Sequence, residues 1–367
     1  MILIYKHLAF KSYLKLNVIL FFLLYSSFEI KAQDYQSKVK VGAYYFSGWT
    51  GKTNHLTKSL ITDYYKRQPK WGWVAGGKET MSKEIEYASN AGIDFFSFCW
   101  YYVNSDSTKF KYHPLNSALD SYLTSKNRQK MQFNLLVANH LGAIIRPQDW
   151  EVVTNEWIRI FKKQNYLLVE QKPLITFFSL NSLLEEFKTE SHIRRALDSF
   201  REKAYQAGLS GISIAICVNG EDDEVEKAKL SGFDILTGYN YHHAGFNGKN
   251  MELPISNLLV GSENIWQKFI RANRPYIPVV TLNWDSRPWA NLDMQSVNSP
   301  RYIGYSAGSI YNSITHAISW VSSHPMAVTN ERLMMIYAWN EYGEGAWLAP
   351  TKAFGNSFLR AVKKAIN

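Results

Sequence analysis

The sequence predicts a single (β/α)8 barrel, a TIM barrel of the α/β class. Three observations carry that reading. Eight short apolar runs recur along the chain, helix-like stretches lie between them, and no Pro/Ser-rich linker interrupts the alternation. Strands alternating with helical patterns build a parallel sheet, and eight such units close into a barrel. An open doubly wound sheet is the alternative. No Gly-rich phosphate-binding fingerprint follows the first run, which disfavours its dinucleotide-binding form.

The runs fall at 39–46, 93–100, 131–138, 173–180, 211–217, 233–240, 276–283 and 333–339. Several are apolar on both faces, as in Leu333-Met334-Met335-Ile336-Tyr337-Ala338-Trp339, the pattern of strands covered on both sides. After the first run, Thr80 to Asn90 places Met81, Ile85 and Ala88 on one face, and Gly92 closes the helix. Arg194 to Ala207 makes another helix, closed by Gly208. Asp222, Asp223 and Glu224 form a short acidic run after the fifth strand; such runs are usually solvated, and no role is assigned to it.

Residues 1–32 stand apart from this pattern. Lys6, Lys11 and Lys15 precede the apolar run from Leu16 to Tyr25, and a short segment then leads to Ala32. A basic start, a short apolar core and a small residue before a polar stretch make a secretory signal peptide. The expected product of cleavage near Ala32 is an exported protein, periplasmic or secreted, whose barrel occupies 33–367. The apolar run is too short to span the hydrocarbon of a bilayer, so no stable membrane anchor is expected; an uncleaved anchor is the alternative.

Composition excludes several classes. The 367 residues are 46% hydrophobic and 20% charged, too apolar for a disordered chain. Two cysteines rule out a disulfide scaffold and a four-cysteine zinc module. Cys99 and Cys217 read as buried free thiols, with a bridge between them the lesser alternative. The formal charge is +10, and the first 32 residues hold four lysines and one glutamate, which leaves about +7. The lysines are scattered without a basic block, so no nucleic-acid partner is expected. An acidic or sulfated polysaccharide would suit the sign, as would solubility alone.

In such barrels the working residues lie at the C-terminal ends of the strands. There the sequence places Tyr44, Tyr45 and Trp49; Trp100 and Tyr101; Asn139 and His140; Tyr239, Tyr241 and His242; Trp284, Asp285 and Arg287; and Trp339 and Asn340. Sugars need flat apolar faces for their C–H surfaces and polar groups for their hydroxyls. Any one of these aromatics could equally cap the core; the whole set at one end points to a polysaccharide or oligosaccharide substrate. The histidines lack metal-ligand spacing, and no metal or cofactor is expected.

The chemistry is concentrated in Trp339-Asn340-Glu341-Tyr342-Gly343-Glu344-Gly345. Two carboxylates three residues apart, if the loop makes a helical turn, share one side with about 5–6 Å between Cβ atoms. Glycosyl transfer to water needs such a pair, an acid for the leaving oxygen and a second carboxylate for the developing charge or nucleophile. Close like charges also raise one pKa. The alternative is a surface loop with two solvated glutamates.

Four blocks in order carry a family resemblance: Gly42 through Trp49, Met81 through Phe98, Thr281 through Pro288, and Trp339 through Gly345. Together they resemble the glycoside hydrolase family 99-like proteins of the family 71/99 group, across essentially the whole mature chain. The resemblance implies a (β/α)8 barrel and retaining hydrolysis of α-glycosidic bonds, typically inside mannose-containing chains. It implies that Glu341 removes the proton of the substrate's own 2-hydroxyl, closing a 1,2-anhydro sugar, and that Glu344 is general acid and then base. Endo-mannosidase members carry Trp-His between the two glutamates, where this chain has Tyr342-Gly343. A branch with Asn-Glu-Trp-Gly-Glu-Gly, associated with polysaccharide biosynthesis and glycosyltransferases, is the nearer likeness. The Lys-Ala-Gln cleavage region resembles that of Bacteroidota-type secreted proteins and favours degradation outside the cytoplasm. The sequence therefore leads to an exported, endo-acting retaining glycosidase. A non-catalytic glycan-binding barrel and an enzyme of surface-polysaccharide biosynthesis are the alternatives.

Overall fold

The computed structural model describes residues 38–74, 76–103, 113–289 and 299–367. The expected signal peptide at 1–32 lies outside the described residues. The compact unit is Val39–Asn367.

A strand coincides with each of the eight apolar runs, the fourth beginning one residue before its run: β1 Lys40–Tyr45, β2 Phe95–Trp100, β3 Gln132–Val137, β4 Lys172–Phe177, β5 Ser213–Cys217, β6 Ile235–Thr237, β7 Val279–Thr281 and β8 Leu333–Tyr337. They pair in parallel in the order β6-β5-β4-β3-β2-β1-β8-β7. The last gap closes through the segment before β7. Leu236 N–H donates to Pro275 O, and Ile277 N–H donates to Leu236 O, both at 2.9 Å. The sheet is thus a (β/α)8 barrel, and helices follow every strand, from Lys78–Asn90 after β1 to Ser357–Ile366 after β8.

β6 and β7 are shorter than the apolar runs that contain them. In the seventh run Pro278 has no N–H to give to a ladder, although its carbonyl still accepts from Met335 N. In the sixth, the chain leaves the sheet at Gly238, where a Cβ would lie 2.5 Å from the Tyr241 ring.

The helix after β1 starts at Lys78, and Gly92, at φ +91°, ends it as expected. Its inner face holds Met81, Ile85 and Ala88, and also Glu84, which is 1% exposed. The Tyr45 hydroxyl donates to Glu84 at 2.6 Å and the Trp339 indole N–H at 3.1 Å, so this carboxyl ties the helix to the ends of β1 and β8. The helix Glu190–Gln206 starts four residues before the sequence pattern suggests, because Thr189 caps it by accepting from His192 N. Asp222, Asp223 and Glu224 form the first turn of the helix Asp222–Leu230, where negative charge meets the positive end of the helix dipole.

Candidate active site

The loop carrying both glutamates is a hairpin and not the helical turn that their spacing allowed. Asn340–Glu341 pairs antiparallel with Ala346–Trp347 across the turn Tyr342–Gly345. Gly345 sits at φ +79°, a conformation that glycine adopts without steric cost. Four-residue turns are common in hairpins.

Neighbouring loops hold the hairpin from both sides. Asn340 clamps the end of β1 by accepting from Phe46 N and donating to Phe46 O, each at 2.8 Å. The Trp49 indole donates to Asn340 O at 2.8 Å. On the other side, Asp285 N donates to Glu344 O at 2.8 Å, and Asn283 donates to Gly345 O at 2.7 Å. Arg67 is buried beneath. It donates to Tyr342 O at 2.8 Å and meets the Asp285 carboxylate at 2.6 Å. Burial alone would raise the Asp285 carboxyl, but hydrogen bonds from Arg287 and the charge of Arg67 outweigh it and hold it below its usual value. Gly343 lies directly under Trp289: a Cβ there would come 2.1 Å from the indole ring.

Glu341 and Glu344 both line one cavity of about 500 Å3 at the C-terminal mouth of the barrel. Its walls include the rings of Phe46, Tyr101, His140, Phe178, Tyr239 and Trp289. Glu341 is 3% exposed, and its Oε1 accepts from the Tyr239 hydroxyl at 2.7 Å. Its Oε2, and Oε2 of Glu344, are buried with no hydrogen-bond partner among the described residues. Burial lifts the Glu344 carboxyl to about 8. Burial also lifts Glu341, but the Tyr239 hydrogen bond pulls the other way, and it stands at about 7. The Tyr239 hydrogen bond thus favours the charged form of Glu341. His55 and His113, also on the lining, are held below their usual value by burial, which favours the neutral ring.

Of the residues singled out from the sequence, the cavity brings together Tyr101, His140, Tyr239, Glu341 and Glu344. The others are engaged elsewhere. Tyr44 donates across the barrel to Gly238 O at 2.7 Å, while Tyr45 points the opposite way to Glu84. Trp100 packs outward, edge-on to Trp157 of the helix Trp150–Phe161. Asn139 accepts from Phe178 N and Ser179 N and ties β3 to the end of β4. Tyr241 is fully buried against Tyr276. His242 stacks on Trp284 with centroids 4.0 Å apart. Trp49, Asp285, Arg287, Trp339 and Asn340 brace the hairpin or its supports. They build the site and do not line it.

Phe46 and Trp289 stand in the strand-end segments that the sequence places at the mouth but not among its substrate candidates, and His55 and Phe178 are in neither. Phe46 and Phe178 each stand one residue past a strand end, so strand phase was a usable signal. His55 and Trp289 come from loops, where no periodicity points to them. Cys99 was read only as a core thiol; it is buried and free but also touches the cavity, with its sulfur 3.9 Å from the Tyr239 hydroxyl. Cys217 is free and partly buried.

The (β/α)8 barrel that carries these two carboxyls is a fold shared with solved structures. A glycoside hydrolase-like protein superposes with a TM-score of 0.64 at 12% identity, over 90% of this chain and 95% of that one. The GH99 endo-alpha-mannosidase from Bacteroides thetaiotaomicron superposes with a TM-score of 0.61 at 13% identity, over 89% of this chain and 95% of its own. The chain belongs to the family described as glycosyltransferase WbsX, which matches residues 74–362. No curated protein matches it in sequence.

Proposed function

We propose that the protein is an exported retaining glycoside hydrolase that cleaves α-glycosidic bonds inside a polysaccharide with help from the substrate's own 2-hydroxyl. One observation carries the reading. Two carboxyls, both raised toward neutrality and each with an oxygen that has no partner among the described residues, line the same aromatic-walled cavity.

The asymmetry of the pair suits the two roles. Glu341, kept more acidic by Tyr239, takes the 2-hydroxyl proton while O2 attacks C1. The C1–O bond to the leaving group breaks, and Glu344 gives its proton to the departing oxygen. In the second half, Glu344 takes a proton from water, the water oxygen attacks C1, and the C1–O2 bond opens as Glu341 returns its proton. Two inversions at C1 give net retention. The apolar surroundings that raise both carboxyls keep a proton available on Glu344 near neutral pH.

The family description favours a second reading, a glycosyltransferase of polysaccharide biosynthesis. A nucleotide-sugar donor would bring a diphosphate toward the carboxylate of Glu341, which charge repulsion disfavours. That reading requires loss of a surface polysaccharide when the gene is deleted. The third, a glycan-binding barrel without catalysis, requires affinity without product. The hydrolase reading is tested on a panel of α-linked polysaccharides. Glu341→Gln and Glu344→Gln should each lower turnover by about 100-fold or more; wild-type rates in both variants would remove the roles assigned here.

A further inference from the structure

We propose that the sugar bound at the scissile bond is a neutral 6-deoxyhexose, its methyl group seated on the aliphatic floor that β2 and β3 place beside the Glu341–Tyr239 pair. The proposal rests on the hydrolase reading above. β2 and β3 run in register with Cys99 opposite Leu136, and both side chains line the cavity. Alternation along each strand brings Tyr101 and Ala138 to the same inner face one step higher, and these also line it. The floor lies next to the chemistry. The Cys99 sulfur is 3.9 Å from the Tyr239 hydroxyl, which itself donates to Glu341 at 2.7 Å. Ala143, Leu115 and Val103 continue the apolar surface toward the rim.

Apart from the Tyr101 hydroxyl, this surface offers carbon and a neutral thiol. A hydroxyl pressed against Leu136, Ala138 or Leu115 gives up water and gains no side-chain partner from them. A methyl group gains contact instead. A uronate or sulfate would bring negative charge into an apolar space that in the reactive state already holds the charged Glu341, where repulsion is weakly screened. At C2 the proposed reaction uses a free hydroxyl, so a 2-acetamido sugar does not fit. C6 is then the position at which a methyl in place of CH2OH satisfies both the wall and the reaction.

The test is a series of synthetic α-linked tetrasaccharides in manno, galacto and gluco configuration, each made with CH3, CH2OH or COO− at C5. Release of product is followed with the wild-type protein, Glu344→Gln and Leu115→Gln. The 6-deoxy member of one configuration should exceed its CH2OH counterpart in kcat/KM by at least about tenfold, the discrimination typical of an apolar pocket against an added hydroxyl. The uronate should be inert, and Leu115→Gln should narrow the methyl preference. Equal or better cleavage of the CH2OH or COO− member overturns this assignment; if that cleavage is still lost in Glu344→Gln, the hydrolase reading stands. If no member is cleaved by the wild type, and none binds Glu344→Gln in calorimetry, the hydrolase reading fails and this inference with it.

Discussion

At the scale of single residues, Tyr239 favours the charged form of one carboxyl of the pair. Glu341 and Glu344 are both raised by burial, but among the described residues only Glu341 has a hydroxyl donating to it. The proposed reaction needs Glu341 charged and Glu344 protonated, so kcat/KM should form a bell with limbs near about 7 and about 8. Tyr239→Phe removes the hydrogen bond that favours the charged form of Glu341. The acidic limb should then move to higher pH, with the alkaline limb little changed, in a pH profile of kcat/KM. A limb that stays in place, or moves to lower pH, would show that Glu341 is not the base. The neutral thiol of Cys99 fits the same low-dielectric setting: burial first, and then the nearby Glu341 charge, push it well above its usual value.

At the scale of elements, the hairpin after β8 depends on close approach at one glycine. A Cβ on residue 343 would sit 2.1 Å from the Trp289 indole, so Gly343→Ala has to displace that ring from the cavity wall. Activity should fall by about tenfold or more while Glu341 and Glu344 remain in the chain. Adding Trp289→Ala to Gly343→Ala should cost much less than the sum of the two single changes, since the clash is then gone; the measurement is a double-mutant cycle in kcat/KM. Additive losses would mean that the two residues do not act through one contact. This same hairpin marks where the sequence stopped being legible. A Glu-x-x-Glu spacing fits a helical turn and a four-residue hairpin equally well, and the positive φ of Gly345 is a property of the folded chain. The strands were readable because buried parallel strands are apolar on both faces. Which aromatic faces the cavity was not, because adjacent residues point to opposite sides of the sheet: Tyr44 reaches across the barrel and Tyr45 reaches Glu84. An error of one residue in strand phase moves a ring from the site to the helix layer. Asn139, Asn340 and Asp285 illustrate a second limit: polar residues at strand ends can serve loops as well as substrates, and here they fasten loops.

At the scale of the molecule, the raised carboxyls make fold stability depend on pH. A carboxyl whose folded pKa is raised contributes stability below its unfolded value of 4.5, and that contribution is lost as pH rises through the folded value, about 8 for Glu344. Near pH 4.5 the wild-type protein and Glu344→Gln should therefore melt together. By pH 9 the variant should melt a few degrees higher, since it carries no charge to bury. Equal melting temperatures at both pH values in scanning calorimetry would mean that Glu344 is solvated in the native state. The barrel itself presents both acids at the C-terminal mouth because β8 pairs with β1 and β7, whose following loops supply the clamps on the hairpin. The WbsX family relationship and the (β/α)8 fold shared with the solved structures meet at this point: one scaffold presents two raised carboxyls to one cavity, and the proposed reaction takes water as its acceptor. The most direct measurement is proton NMR of the first-formed reducing end when the wild-type protein cleaves an α-linked glycan. The account predicts the α-anomer first, with the β-anomer growing in only by mutarotation; a β-anomer formed first would contradict it.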